Sequence, residues 1–483
     1  MSVSVAFSLE FGISVMKSCV VDDRSVPTGN HSGDEGCASD GLGSPAMPPT
    51  DENLLSRLSN LASLNKAWRI VRQSALQSAS LKITRLAKEF DQNSIKNLRE
   101  IERALKEDAF VFKGVYARLL PRPGKNPRPL AVAPIASRIV QRAILDILWS
   151  NPKIKKRVKN KNSFGGIEKR GVKDALIEVS KCLHQGYNYY ITSDISDFFQ
   201  NINKRDTNNT IFSFLQDNSI NELIEDSLKC EILNSTHKNV AEHIDLFPKD
   251  QIGVLQGCCL SPLYGNIFLS DFDEELNSFS GIRCIRYIDD FILLGKRQPA
   301  LLKVFSKAVE ILEKKGLRVY KLGEHNTKAR FGDVRKFPIE FLGCSIEKGR
   351  VRPLNKARAN LLKKIDECLK ISVTQMNNSK LDTPIENSYI KNIFNVNNMI
   401  KGWAGAFSFC NDPTYFRSLD KDILAKFYDY HHSYQKVLER FSDPQKRQRL
   451  FGLQLIFDST GTDPIWGPSG ALASQDDSDS EDK

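Results

Sequence analysis

Two short apolar runs, Gly281–Tyr287 and Phe291–Leu294, flank Tyr287-Ile288-Asp289-Asp290 and close on Gly295. Each is brief, rich in β-branched and aromatic residues and bounded by glycine, so the pattern predicts two strands joined by a tight hairpin connection. Tyr187–Ser193 reads as a third strand ending at Asp194, Gly316–Lys321 as a fourth, and Ile339–Ile346 with Arg350–Arg352 as a small hairpin. Helical spacing takes over elsewhere. Leu54, Leu55, Leu58, Leu61 and Ala62 follow an expected cap at Thr50-Asp51-Glu52, and a mixed-charge helical stretch continues to about Ala109. Amphipathic helices are predicted at Ser137–Leu148, Val172–Leu183 and Ala300–Lys315, with mostly helical chain before Lys249. Ser261-Pro262 reads as N-cap and first helical position, opening a helix that buries Leu263, Ile267, Phe268, Phe272 and Leu276.

Breaks in the pattern divide the chain. Residues 22–50, rich in Asp, Gly, Ser and Pro, read as a flexible leader, and Gln475–Asp482 as an acidic disordered tail. Val3–Val21 is apolar but interrupted by Glu10 and preceded by no basic region; it makes a poor signal peptide and is too short to span a bilayer. The chain of 483 residues is long enough for roughly two to four structural units. The formal charge of +11 understates the basic character of the body, because the tail is acidic. A basic body suits a polyanionic partner. The ten cysteines form no Cys-x-x-Cys pair, which implies reduced thiols, no zinc knuckle and a cytoplasmic protein.

Chemistry concentrates at the ends of the predicted strands. Asp289 and Asp290 repel one another and resist desolvation, so a buried site keeps both only with positive charge between them; a solvated hairpin turn is the plainer alternative. Asp194 adds a third carboxylate, followed by Phe198-Phe199, while Asp197 fits a cap or surface acid. Three convergent carboxylates suit Mg²⁺, which takes hard oxygen ligands, and no His/Cys cluster competes. The proline-punctuated segment Arg118–Val132, turning at Pro123-Gly124, brings Arg122, Lys125 and Arg128 where a loop reaches phosphates, or is simply a solvated basic loop. Gly253–Pro262 is a glycine-bearing loop with Gln256 and Gly257 at its centre.

Taken together, these segments resemble the reverse transcriptases, over roughly Arg118 to Phe407. Tyr287-Ile-Asp-Asp290 is similar to the family's Tyr-x-Asp-Asp motif, and Asp194 with Phe198-Phe199 to its first catalytic motif. Gln256-Gly-Cys-Cys-Leu-Ser-Pro262 resembles Gln-Gly-x-x-Leu-Ser-Pro, and Phe341-Leu342-Gly343 the primer grip. The resemblance implies an α+β right-hand polymerase with an antiparallel-sheet palm, making cDNA from an RNA template and dNTPs, with two Mg²⁺ ions, or Mn²⁺, on Asp194, Asp289 and Asp290. It further implies that Phe199 is a steric gate against the ribose 2′-OH, or else core packing. Gln256 and Gly257 would sit against the template and incoming base pair, Tyr287 beside the substrate, and Arg128 with Lys125 on the triphosphate. Lys328, in Asn326-Thr-Lys-Ala-Arg330, would be the general acid for pyrophosphate; the order departs from the commoner Lys-Thr, and a surface lysine is the alternative.

The expected layout is a leader (1–49), helical extension and fingers (50–185), catalytic palm (186–352), helical thumb (353–440) and a C-terminal segment (441–483). Ile393, Val396, Met399, Ile400, Trp403 and Phe407, which include Ile-Lys-Gly-Trp403, resemble the thumb of group II intron-type enzymes. No nuclease, RNase H or integrase module is recognisable, which points to stand-alone bacterial "unknown group" enzymes and to antiphage defence. The partners implied are a dedicated non-coding RNA template and the cDNA product, with an oligomer or accessory protein as a further option and no membrane. The rivals are a maturase-like RNA-binding protein and a template-independent nucleotidyltransferase.

Overall fold

The computed structural model describes residues 53–78, 80–122, 124–323, 328–378 and 386–453, and the chain divides into two compact units at Gly349/Arg350. The expected leader, the cap at Thr50–Glu52 and the acidic tail lie outside the described residues. No helix among the described residues is long and apolar enough to cross a membrane.

Among the described residues the first unit begins with four helices: α1 (Leu54–Ser59), α2 (Leu61–Leu76), α3 (Leu81–Gln92) and α4 (Ser94–Lys106). Asn53 caps α1 through Ser56 N–H at 2.8 Å, and Asn60 both ends α1 and caps α2 through Ala62 N–H at 2.8 Å. Strands β1 (Tyr116–Arg122) and β2 (Lys125–Val132) then form the expected basic hairpin, in antiparallel register from Tyr116↔Val132 to Arg122↔Lys125. Pro121, Pro127 and Pro129 are tolerated because in a two-stranded ribbon every strand has a free edge. Helices α5 (Ile135–Ser150) and α6 (Pro152–Val158) follow, and Ile139, Val140, Ala143 and Ile147 of α5 share a core with Leu64, Trp68 and Val71 of α2.

The centre of the unit is a six-stranded sheet. Its members are β3 (Ser163–Phe164), β4 (Tyr189–Ser196), β5 (Ile282–Tyr287), β6 (Asp290–Gly295), β7 (Arg318–Val319) and β8 (Arg330–Asp333). Their order is β3-β5-β6-β4-β7, with β8 also on β4. Only β3 runs parallel to its neighbour. Strand β4 is buried along nearly all its length, as a strand enclosed on both faces must be. Helices α7 (Val172–His184), α12 (Ser270–Ser278) and α13 (Gln298–Lys314) pack on the sheet. Between β4 and β5 lie short helices α8 (Lys204–Phe212), α9 (Asn221–Asp226), α10 (Lys238–Ala241) and α11 (Ser261–Phe268). Strands β9 (Ile339–Phe341) and β10 (Cys344–Glu347) make a small antiparallel hairpin.

Three details correct the sequence reading. Asp194 is not at the end of its strand: β4 continues to Ser196 because Ile195 and Ser196 pair with Val319 and Arg318 of β7. Ser261 is not a cap; Leu260 precedes the helix and the Ser261 hydroxyl donates to Leu255 O at 2.6 Å. The helix expected through Leu276 breaks at Leu269, although its predicted apolar face is buried throughout.

The second unit begins with β11 (Arg350–Pro353) and continues as helices α14 (Asn355–Asn378), α15 (Tyr389–Ala406), α16 (Pro413–Leu438) and α17 (Pro444–Phe451). Leu361, Ile365, Leu369 and Met376 of α14, Val396 of α15, Leu419 and Val437 of α16 and Leu450 of α17 form its core. Tyr389 stacks on Tyr434 with ring centroids 4.1 Å apart. Ile393, Met399, Ile400 and Trp403 line that core, and Phe407 packs on Trp403, as their spacing predicts.

Candidate active site

Three carboxylates meet on the central sheet because of strand register. Asp194 lies directly opposite Asp290 in the β4–β6 ladder, and Tyr287 opposite Asp290 in β5–β6, leaving Ile288 and Asp289 as a two-residue turn. The Ile195 N–H donates to Asp289 O at 3.1 Å, which draws that turn onto β4. Carboxylate oxygens of Asp194, Asp289 and Asp290 lie within 4.8 Å of one another, with Asp194 buried and the other two partly exposed. This is an all-oxygen, acceptor-only donor set of the kind a hard divalent cation takes.

The electrostatics record the strain of that convergence. Burial pushes the Asp290 carboxyl well above the usual carboxylate range, and the neighbouring Asp289 adds to it. Asp289 is also raised by burial, but backbone N–H groups and the guanidinium groups of Arg128 and Arg286 pull it back down. Burial, with the same two acids, pushes the Tyr287 hydroxyl up to about 12. A cation between the acids would relieve what burial and repulsion impose, so the residues present fit a divalent metal.

Lys328 reaches the triad for a topological reason. Strand β7 leaves β4 at Ile195, and β8 joins it where Arg330 pairs with Thr192. Lys328 lies two residues before Arg330, so the chain enters β8 beside the part of β4 that carries Asp194. Its ammonium is paired with the Asp194 carboxylate, so it is no plain surface lysine. Asn326 and Thr327 of that segment lie outside the described residues.

The loop around Gln256 is tied to the basic hairpin. Arg128 Nε donates to Gln256 Oε1 at 2.7 Å, and Ala131 N–H donates to Gln256 O at 2.8 Å. Gly257 has φ +115°, and a Cβ there would stand 2.7 Å from Ala131 O, so only glycine allows this approach. Burial lowers the Arg128 pKa while the charge of Asp289 raises it, which puts that guanidinium within the field of the triad. Arg122 donates to Asn126 O at 2.8 Å, and the Lys125 side chain lies outside the described residues. Phe199 is half-buried, 5.4 Å from Phe198 between ring centroids, after a turn made at Asp197 with φ +49°. Phe341 and Leu342 are buried, and Leu342-Gly343 forms the tight β9–β10 turn with φ +49° and +78°.

Residues 120–346 match the family model described as "Reverse transcriptase (RNA-dependent DNA polymerase)". This segment, just under half of the chain, is similar to the reverse transcriptase family. A curated relative, Protein YkfC of Escherichia coli (strain K12), is 29% identical over 167 residues, covering 33% of this chain and 39% of that protein. The chain thus spans well under half of that relative. Solved structures of similar shape include the partial Cas6-RT-Cas1–Cas2 complex, with TM-score 0.32 and 22% identity over 55% of this chain and 43% of that one. Telomerase from Candida albicans gives 0.36 and 15% over 71% and 61%. At TM-scores of this size the likeness is loose and assigns nothing to this chain.

Within the matched segment the sequence reading missed one group. Ser163, Asn266, Asp273 and Arg286 form a buried polar cluster directly beneath the Ile288-Asp289 turn. Its one visible signal was a charge, Arg286, on the strand face that also carries Ile282 and Cys284. Asp273 sits in the acidic run Asp271–Glu275, which reads as a solvated helix face.

Proposed function

We propose that the chain is an RNA-directed DNA polymerase acting by two-metal nucleotidyl transfer. The observation that carries this is the register that sets Asp194 against Asp290 with Asp289 in the adjoining turn, inside a segment of the reverse transcriptase family. Bound Mg²⁺, as a pair of ions, supplies activation of a primer hydroxyl and neutralises the charge of departing pyrophosphate. Asp194, Asp289 and Asp290 hold the ions. Arg128, with Lys125, binds triphosphate oxygens, where a planar guanidinium fits best. Tyr287 and the Gln256-Gly257 loop pack against the nascent pair, Phe199 crowds a ribose 2′-OH, and Phe341–Gly343 steady the primer. Lys328 exchanges Asp194 for the leaving phosphate and donates a proton to it. On this reading the first unit holds fingers and palm, and the second unit holds the thumb.

Primer extension on an RNA template tests the proposal. Asp289→Asn keeps the side-chain shape and removes a ligand charge, so dNTP incorporation is expected to fall about a hundred- to a thousandfold. Wild-type-like extension by that variant overturns the metal role, and incorporation without regard to template sequence favours an untemplated transferase. RNA binding without any synthesis by the wild type favours a maturase.

The biological setting we propose is a stand-alone bacterial enzyme of antiphage defence that copies a dedicated non-coding RNA; the resemblance in sequence alone supports it. Protection by the native locus against a phage panel, lost on Asp289→Asn, is the expected result. Equal plaque counts with the intact, mutant and empty loci refute it.

A further inference from the structure

The peptide that carries Asp289 is gripped from inside the protein. Ile288, the residue before it, has φ +58°, a left-handed conformation that a β-branched side chain resists. Ile288 is buried, its N–H donates to Phe164 O at 3.3 Å, and its carbonyl accepts from Arg286 Nη1 at 2.9 Å. That carbonyl belongs to the peptide leading into Asp289, so its orientation sets where the Asp289 carboxylate points.

Arg286 is fully buried, and all five of its donors are used. Nε and Nη2 hold Asp273 in a bidentate pair at 2.7 and 2.5 Å, and Nη2 also reaches Ser163 Oγ at 3.3 Å. Nη1 holds Asn266 Oδ1 at 3.1 Å besides Ile288 O. The partners are themselves anchored: Asn266 donates to Gly165 O at 3.0 Å, Asn160 to Asp273 at 3.2 Å, and Ser163 to Asp273. A buried ion pair of this kind stabilises a fold no better than apolar residues of the same volume. What apolar residues cannot do is hold a carbonyl in a strained turn.

We infer that Arg286, braced by Asp273, Asn266 and Ser163, is a positioning residue for the metal-binding turn. It fixes the Ile288–Asp289 peptide plane through its bond to the Ile288 carbonyl. This rests on the reading that Asp194, Asp289 and Asp290 bind divalent ions, and it extends that site inward by one layer.

Arg286→Lys separates the role from mere support. Lysine keeps the charge and can pair with Asp273, but it cannot span Asp273 and Ile288 O at once. Mn²⁺ binding to the full-length protein, followed by electron paramagnetic resonance, is the first readout. Circular dichroism and thermal melting report the fold, and single-turnover dNTP incorporation across Mg²⁺ concentrations gives the second readout. A folded Arg286→Lys is expected to bind Mn²⁺ about tenfold more weakly, in the range typical of groups that brace metal ligands. Its incorporation rate should drop in step and recover in part at high Mg²⁺, with template–primer affinity unchanged. Asp273→Asn, which loosens the brace while keeping the guanidinium, should shift both readouts the same way. A folded Arg286→Lys with wild-type Mn²⁺ affinity and Mg²⁺ dependence overturns the inference. So does loss of fold in both variants, which would make the pair purely structural. If the wild type binds Mn²⁺ but incorporates no nucleotide, the polymerase reading fails while the positioning role is still decided by the binding data.

Discussion

Asp290 lies opposite one carboxylate and next to another, and its folded-state pKa is raised by burial first and by Asp289 second. For an acid, a raised folded pKa means that the protonated form is favoured in the folded protein. The associated stability is present below the unfolded value near 4 and is lost as pH rises through the folded value. Without divalent ions, Asp290→Asn should therefore melt higher than the wild type at pH 8, and the gap should narrow toward pH 5. Added Mg²⁺ should stabilise the wild type more at pH 8 than at pH 6, because protons compete for the same oxygens. Thermal melts at pH 5, 6 and 8, with and without Mg²⁺, check this; a variant less stable than the wild type at pH 8 without metal would show that repulsion is already relieved inside the protein. Phe199 gives a second test at this scale. It is half-buried against Phe198, so Phe199→Ala opens a space where the proposal puts the sugar. The ratio of rNTP to dNTP incorporation should rise at least about tenfold, the lower end of what a methylene-sized change of fit allows. An unchanged ratio assigns Phe199 to packing.

Among elements, those with long local patterns were legible and those made by register were not. The Tyr287–Asp290 hairpin, the amphipathic helices and the basic hairpin β1–β2 all appear where apolar spacing and turn residues put them. Strands β3 and β8, two and four residues long, carry no pattern of their own; they are strands only because β5 and β4 offer an edge. That is why the sequence offers Lys328 a role but no partner, and why the Arg286 cluster, which joins Ser163 to residues between Asn266 and Arg286, has no legible pattern. The continuation of β4 past Asp194 is likewise set by β7, a partner more than a hundred residues away. Gly257 is the case where element and site coincide. Its φ of +115° and the 2.7 Å from a Cβ to Ala131 O leave no room for a side chain between the loop and β2. Gly257→Ala should cost roughly 1–3 kcal/mol in stability. It should also raise KM for dNTP, because Ala131 is three residues from Arg128 on the strand that would yield. Melting temperature and dNTP titration check both effects, and a variant with wild-type values in each would show that the loop and strand are not coupled.

At the scale of the whole molecule the charge is the argument. The chain carries 69 Lys and Arg against 58 Asp and Glu, and the three acids of the triad are partly or fully withdrawn from the surface. Much of the basic excess is solvated: the lysines of α6 leave their side chains in water while Ile154 and Val158 turn inward. Long-range attraction between such a surface and phosphates brings no base specificity, and it is driven by the release of counterions, which added salt opposes. Affinity for single-stranded RNA should therefore fall linearly with salt on a log–log plot, by about 0.7 per phosphate neutralised, with little dependence on sequence. Replacing Arg128, which sits in the field of Asp289 and is proposed to hold the triphosphate, should leave that RNA slope unchanged while weakening dNTP use. Fluorescence anisotropy with two unrelated RNAs across a salt series, for the wild type and Arg128→Ala, measures both. A flat plot would contradict a backbone-tracking surface. A slope reduced by about one unit in Arg128→Ala would move that residue from the nucleotide to the RNA, and the assignment of the β1–β2 hairpin would change with it.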